Sequence, residues 1–235
     1  RVRCPDGDPK RVLAALDHHV PIGQLTDEEA ARRIRQDEID VLVDLHGPTA
    51  GARPNILARR PATVQVSYLG FPGTSGMACI DHVLCDRYVL PEATLPCMTE
   101  KPLYLPEVFQ VCDTRRQSNP APTREQCGLP QDAMVYCAFN NSHKITPEMF
   151  GAWLGILARV PGSVLWLVGN DPAMRENLTR TCTERGLPAE RLVFAPRALP
   201  PDYLARYAAA DLFLDCFPFN GGTTANDALW MGLPV

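Results

Sequence analysis

The sequence predicts an α/β protein whose second half is a parallel, Rossmann-like sheet, and three observations carry that expectation. From about residue 131, short apolar runs (MVYCAF, SVLWLVG, RLVFAP and DLFLDCF) each precede a helix-like stretch. Strands and helices alternating at this spacing imply right-handed crossovers and parallel pairing. Between about Glu107 and Pro130 the chain turns polar, gains prolines and loses any hydrophobic period, which marks a linker. Ahead of it, IDVLV and VQVSYL are nearly continuous in apolar residues, the pattern of strands covered on both faces. The expected division is therefore residues 1–106, a linker over 107–130, and a second domain over 131–235.

In chain order, EEAARRIRQ reads as a polar helix, IDVLVDL as a strand ending in HG, NILARR as a short helix, and VQVSYLG and HVLCD as strands. Pro48, Pro54 and the FPGTSG loop from Phe71 to Gly76 separate them as turn signals. After MVYCAF a helix opens with Thr146 as N-cap and Pro147 as its first residue. Further helices are expected over Ala173 to Glu184, closed by Gly186, over Pro201 to Ala210, and over TTANDALWM. No GxGxxG follows any of these strands, which argues against a nicotinamide or flavin enzyme.

With 235 residues, 46% of them hydrophobic, the chain can bury a substantial core. A formal net charge of −4 provides no global field for nucleic acid or anionic membrane, so neither is expected as a partner. The nine cysteines include no CxxC and no neighbouring His pair, so no metal site is expected. Cys85, Cys137 and Cys216 sit in or beside apolar runs, as small buried hydrophobes do, and Cys4 completes an odd set without framework spacing. A reducing cytoplasm is the expected setting. There is no run of about 18 apolar residues, and the first residues given are not expected to act as a signal peptide. Arg1 in place of an initiating Met, and a GLPV ending that reads as a cut strand, lead us to expect a fragment truncated at both ends.

Ligands of open parallel sheets collect at the C-terminal strand ends. Here those ends are Asn140 to Lys144, Gly169 to Asp171, Pro196 to Ala198 and Asp215 to Thr224. The last is richest. FNGGTT puts Gly221 and Gly222, which allow close backbone approach, and the hydroxyls of Thr223 and Thr224 at a helix start that favours an anion. Asp227 shares their helix face and is suited to ribose hydroxyls, or is a solvated first-turn acid. Lys144 reads as a diphosphate ligand that stabilises a leaving group, or as an ordinary surface lysine. In the first half, DLHGPTAGAR groups Asp44, His46, Gly47, Thr49 and Arg53 after a strand. His46 reads as a general base, a sugar-hydroxyl contact or a structural histidine. Arg53 reads as an anion ligand or as a partner of Asp44. FPGTSG reads as an acceptor or sugar contact, or as a tight turn.

Taken together, IDVLVDLHGPTAGAR, PATVQVSYLGFPGTSG, MVYCAFNNSHKITPEMF, VPGSVLWLVGN, RLVFAP and ADLFLDCFPFNGGTTANDALWMGLPV resemble the catalytic region of protein O-linked N-acetylglucosamine transferases and their bacterial relatives with tetratricopeptide repeats. The resemblance runs through nearly all of residues 36–235. It implies two Rossmann-like lobes in the glycosyltransferase-B arrangement, with UDP held by the C-terminal lobe and a protein or peptide acceptor approaching from the other. It also implies inverting, metal-independent transfer with a UDP-sugar as donor and no further cofactor. By the resemblance, Lys144 meets the diphosphate, Asn141 stands where a glutamine helps hold the phosphates, and Thr223, Thr224 and Asp227 serve phosphate and ribose. Ala198 reads uracil through its backbone, with Arg206 nearby. Leu69, Gly70 and Pro72 line the sugar, and Arg53 matches a functional arginine. Tyr203 and Gly222 replace histidines of the best-known members, and Phe219 replaces a smaller residue near the sugar's N-acetyl group. UDP-GlcNAc is therefore the leading donor, with UDP-glucose or another nucleotide sugar next. The family's catalytic base, from a His-Pro motif, and its repeats are expected upstream of Arg1. A transferase with a non-protein acceptor and a UDP-binding scaffold without activity are the competing readings.

Overall fold

The computed structural model describes residues 9–235, so Cys4 and the rest of residues 1–8 lie outside the described residues. The chain forms two compact units that meet between Val111 and Cys112.

The first unit opens with α1 (Pro9–Ala14) and α2 (Asp27–Gln36). Thr26 starts α2 with a full capping box: its hydroxyl accepts from Glu29 N at 3.2 Å while Glu29 Oε2 accepts from Thr26 N at 2.8 Å. Then come β1 (Val41–Asp44), α3 (Pro54–Ala58), β2 (Val64–Ser67), β3 (His82–Cys85), a 3-10 turn over Glu92–Cys97, and β4 (Lys101–Tyr104). The four strands pair in parallel in chain order. β2 is interior and buried, as its apolar run predicts. Among the described residues β1 is an edge strand, and Val41 and Val43 are exposed on alternate positions where the apolar run predicts cover on both faces. Apolar continuity reports what a strand can bury, whereas its neighbours decide what it does bury. The sequence reading named neither α1 nor β4.

The second unit is a doubly wound sheet. β5 (Val135–Ala138), α4 (Pro147–Arg159), β6 (Val164–Val168), α5 (Pro172–Glu184), β7 (Leu192–Ala195), α6 (Pro200–Ala205), β8 (Leu212–Phe213) and α7 (Thr223–Trp230) follow in order. All pairs are parallel and the spatial order is β7-β6-β5-β8. The two faces of β5 separate cleanly. Val135 and Cys137 join Trp166, Tyr207 and Phe213 in one cluster, while Tyr136 and Ala138 join Phe150, Trp153 and Leu154 in the other. Cys85, Cys137 and Cys216 are all buried, and burial raises each thiol's pKa. The predicted cap of α4 is present, with the Thr146 hydroxyl accepting from Met149 N at 3.2 Å. The helix expected over Pro201 to Ala210 instead tightens into a 3-10 turn after Ala205.

Residues 112–130, whose composition reads as linker, pack on this second unit. Arg124 forks onto Asp211 at 2.7 and 2.8 Å, Leu129 enters the core, and Asn119 N donates to Pro201 O at 3.1 Å. No helix among the described residues is long and apolar enough to cross a membrane.

Candidate functional site

The strand order places the site. The chain runs β5 to β6 to β7 on one side and then returns to put β8 on the other side of β5. By this order the switch point, at which such sheets take ligands in a crevice, lies between the loops that leave β5 and β8. The loop after β5 carries Asn140, Asn141 and Lys144, and the loop after β8 carries Asp215 to Gly222 and leads into α7.

Asp215, at the end of the β8 run, holds the second loop in shape. Its carboxylate accepts from Cys216 N at 2.8 Å, Gly221 N at 2.6 Å and Asn220 Nδ2 at 2.8 Å. Gly221 is required there because a Cβ would lie 2.7 to 2.9 Å from oxygens of Thr224, Asn140 and Asp215. The Thr224 hydroxyl donates to Asn140 Oδ1, and Tyr207 Oη donates to the Thr224 carbonyl at 3.1 Å. Thr224 thus anchors the helix start, whereas Thr223 is exposed beside the crevice. Gly222 is the N-cap of α7 and no side chain caps the helix, so its first N–H groups and dipole face outward. Lys144, half-buried, donates from Nζ to the Asn220 carbonyl at 2.7 Å and lies 4.0 Å from the centre of the Phe219 ring. The ammonium of one loop and the helix start of the other therefore share one crevice. Asn141 is exposed and its carbonyl accepts from Lys144 N at 3.0 Å. Together these groups set an ammonium beside an uncapped helix start, an arrangement of the kind that favours an anion.

On the β7 side, Ala198 is exposed in the loop before α6. Arg206 is buried beneath that loop, donates to Pro196 O at 3.0 Å, and its pKa is lowered by burial. It shapes the loop and does not project into solvent. Tyr203 packs on the core, its hydroxyl 2.5 Å from that of Tyr207, and burial raises the pKa of both phenols. Its ring, not its hydroxyl, is what this position presents.

Asp227 is not a solvated first-turn acid. It is 4% exposed and its carboxylate accepts from Arg116. Burial would lower the Arg116 pKa, but the Asp227 carboxylate outweighs it and raises it. The sequence reading did not name Arg116, and it set Asn140 and Asp215 at ligand-collecting strand ends without giving either a role of its own. The last two stand at strand ends, a signal that was legible, but Arg116 lies 111 residues from Asp227 in an aperiodic stretch.

In the first unit, the Asp44 carboxylate accepts from His46 N and Gly47 N, each at 3.0 Å. His46 Nε2 is 3.0 Å from the Ala50 carbonyl, which only accepts, so Nε2 is the donor of that bond. Arg53 does not pair with Asp44. Its fork binds Asp27 Oδ1 at 2.7 Å, Leu25 O at 2.7 Å and Ile22 O at 2.9 Å, which braces the entry to α2. A cavity of about 440 Å³ beside these loops is lined by His46, Arg53, Ile22, Leu42, Ile56 and Met77. Leu69 adopts φ 63°, and Gly70 packs against the His46–Gly47 backbone so closely that a Cβ would lie 2.3 Å from His46 C and O. Pro72 is exposed beyond it.

The FPGTSG loop is held by Glu100, 4% exposed, whose carboxylate accepts from Ser75 N at 2.7 Å, Thr74 Oγ1 at 2.7 Å and the Ser75 hydroxyl. Burial would raise its pKa, but these donors outweigh it and hold the pKa below the usual value. A depressed carboxylate contributes stability above its unfolded pKa and loses it as pH falls through the folded one. Glu100→Gln is expected to cost about 1.5–3 kcal/mol at pH 7. It should also flatten the fall of the first unit's thermal midpoint below about pH 4.3. Unfolding scans from pH 7 to pH 3 check this, and an unchanged slope contradicts it.

Among the described residues, no group of three or more His, Cys, Asp or Glu is placed to hold a metal ion.

The sequence matches the family described as Glycosyl transferase family 41 over residues 7–120 and 115–235. It is 36% identical over 233 residues to the probable UDP-N-acetylglucosamine–peptide N-acetylglucosaminyltransferase SEC of Arabidopsis thaliana, covering 96% of this chain and 24% of that protein. It is 27% identical over 338 residues to the UDP-N-acetylglucosamine–peptide N-acetylglucosaminyltransferase of Caenorhabditis elegans, covering 96% of this chain and 29% of that one. Its fold is similar to that of a mutant O-GlcNAc transferase of Thermobaculum terrenum, with a TM-score of 0.87 and 32% identity over 98% of this chain and 44% of that one. The chain thus spans less than half the length of each protein it was matched with here.

Proposed function

The chain belongs to glycosyl transferase family 41, and from that premise we propose that it is the donor-binding part of an enzyme that moves a sugar from a UDP donor to Ser or Thr hydroxyls of proteins. The observation that carries the proposal is the crevice at the β5/β8 switch point, where Lys144 and the uncapped start of α7 converge. In this reading the diphosphate lies on the first turn of α7, against Thr223 and the Gly221–Gly222 backbone, and Lys144 neutralises charge as UDP departs. The uracil end lies toward Ala198 and Tyr203. The transfer is inverting and needs no metal, because an ammonium and a helix dipole supply the positive charge. His46 and the loop from Leu69 to Pro72 belong to the sugar and acceptor side. We place the protein in the cytoplasm, with tetratricopeptide repeats and the catalytic base in the upstream part of the full-length chain.

GlcNAc is the leading sugar. The Phe219 ring over Lys144 favours keeping UDP-glucose as a second candidate, since a bulky ring beside the sugar narrows the space for an N-acetyl group. UDP release by the full-length protein, measured with each UDP-sugar and acceptor proteins, tests the reading. GlcNAc-dependent release that tracks acceptor labelling is expected. Binding of UDP without release from any donor points instead to a scaffold, and absence of UDP binding overturns the site itself.

A further inference from the structure

Residues 112–119 cross the second unit from one ligand-facing helix to another. At one end Arg116 Nη1 donates to Asp227 of α7, Nη2 lies 3.0 Å from Cys112 Sγ, and the guanidinium sits 5.2 Å from the centre of the Trp230 ring. At the other end Asn119 binds Pro201 O at 3.1 Å and Asp202 Oδ1 at 2.6 Å on α6. The Arg116 Nε–H is buried without a hydrogen-bond partner, so the guanidinium is held there at some cost in unsatisfied polarity. Asp227 itself lies one turn into α7, past the diphosphate end of the crevice.

In any nucleoside diphosphate the ribose joins base to phosphate, so its hydroxyls fall between the α7 start and the loop before α6. Of the carboxylates there, Asp202 on α6 takes the Asn119 amide and Asp215 is engaged by its own loop, while Asp227 lies on α7 against Arg116. A carboxylate offers about four acceptor positions, so a guanidinium orients it without exhausting it. Because Cys112 Sγ on Nη2 and the Trp230 ring fix the guanidinium itself, its Nη1–H holds one carboxylate oxygen along a set direction, as a freely rotating ammonium would not. Resting on the donor reading above, we infer that Arg116 is a positioning residue for the donor's ribose: it holds the Asp227 carboxylate in the orientation that receives the ribose hydroxyls.

The test is calorimetric titration of UDP, 2′-deoxy-UDP and 3′-deoxy-UDP into the full-length protein and its variants. Wild type is expected to prefer UDP over at least one deoxy analogue by about tenfold or more, the weight of a hydrogen bond to a charged acceptor. In Arg116→Met that preference should fall to about twofold or less, because UDP binding weakens while deoxy binding changes little. Asp227→Asn should collapse the preference too, and adding Arg116→Met to it should lower the preference no further, as expected of two residues acting as one unit. A merely structural Arg116 would weaken all three ligands together and keep their ratio, which overturns the proposal. If Arg116→Met fails to show a cooperative unfolding transition, Arg116→Lys decides. It keeps the charge and loses the fixed direction of the Nη1–H, so a reduced preference supports the role and an unchanged one overturns it. A wild type that binds UDP and both analogues equally overturns this proposal and leaves the donor site standing, whereas a wild type that binds none overturns the donor site as well.

Discussion

Lys144→Ala is expected to lower kcat/KM of the full-length enzyme by about two to three orders of magnitude, the usual loss when a group stabilising a developing anion is removed. The ammonium spends one of its three donors on the Asn220 carbonyl at 2.7 Å, so two remain for phosphate oxygens. That bond also holds the side chain over the crevice, where the 4.0 Å contact with Phe219 shields it from water on one side. Most of the loss should appear in kcat, because charge on the leaving diphosphate grows as the glycosidic bond breaks. UDP affinity should fall by about tenfold or less, since the α7 start still binds the ground state. Stability should change by less than about 1 kcal/mol, as for other half-exposed charges. Lys144→Arg should restore little, because the broader fork meets Phe219. Steady-state kinetics alongside UDP titration separates these effects. A kcat within about threefold of wild type would remove Lys144 from the chemistry, leaving it a binding residue at most.

Much of this crevice was legible in the sequence because its parts are local. The Thr146 cap, the strand runs and the helix opening at Thr223 are each encoded within a few residues, and parallel topology then dictates that strand ends share one edge. What was not legible depends on partners far apart in the chain. Arg53 reads equally well as an anion ligand until α2 delivers Asp27 to it from 26 residues away. Asp227 reads either as a ribose ligand or as a solvated acid until Arg116 arrives from 111 residues upstream and rules out the second. β1 reads as buried because its residues are apolar, yet it is an edge strand among the described residues. The pair Thr223 and Thr224 shows the same limit at short range. Both are hydroxyls at a helix start, but the Asn140 side chain takes one of them into the loop's own framework. Composition marked residues 107–130 as linker for want of a period, while single anchors such as Arg124 on Asp211, rather than any amphipathic face, fasten residues 112–130.

Gly70→Ala should disable transfer by a different route, through the packing of the first unit's loops. Its Cβ would lie 2.3 Å from His46 C and O and 2.8 Å from Gly47 N, all backbone atoms that no rotamer change can clear. One of the two loops must move, at a cost at or above the roughly 1–3 kcal/mol typical of overpacking. The Asp44 contacts to His46 N and Gly47 N resist movement on one side, and Glu100's grip on Ser75 and Thr74 resists it on the other. Gly73, three residues along the same loop, is the internal control. An added Cβ there would lie 2.6 Å from the Phe71 ring, but that ring is 40% exposed and can turn away. Gly73→Ala should therefore stay within about 0.5 kcal/mol of wild-type stability. Because the donor reading assigns UDP to the second unit, Gly70→Ala should still bind UDP within a few-fold of wild type while transfer to acceptor proteins is lost. Lys144→Ala impairs chemistry with little change in stability, whereas Gly70→Ala impairs stability and transfer while sparing donor affinity. If Gly70→Ala matched Gly73→Ala in both stability and turnover, the close apposition of the His46 and Gly70 loops would be wrong, and with it the placing of His46 beside the sugar.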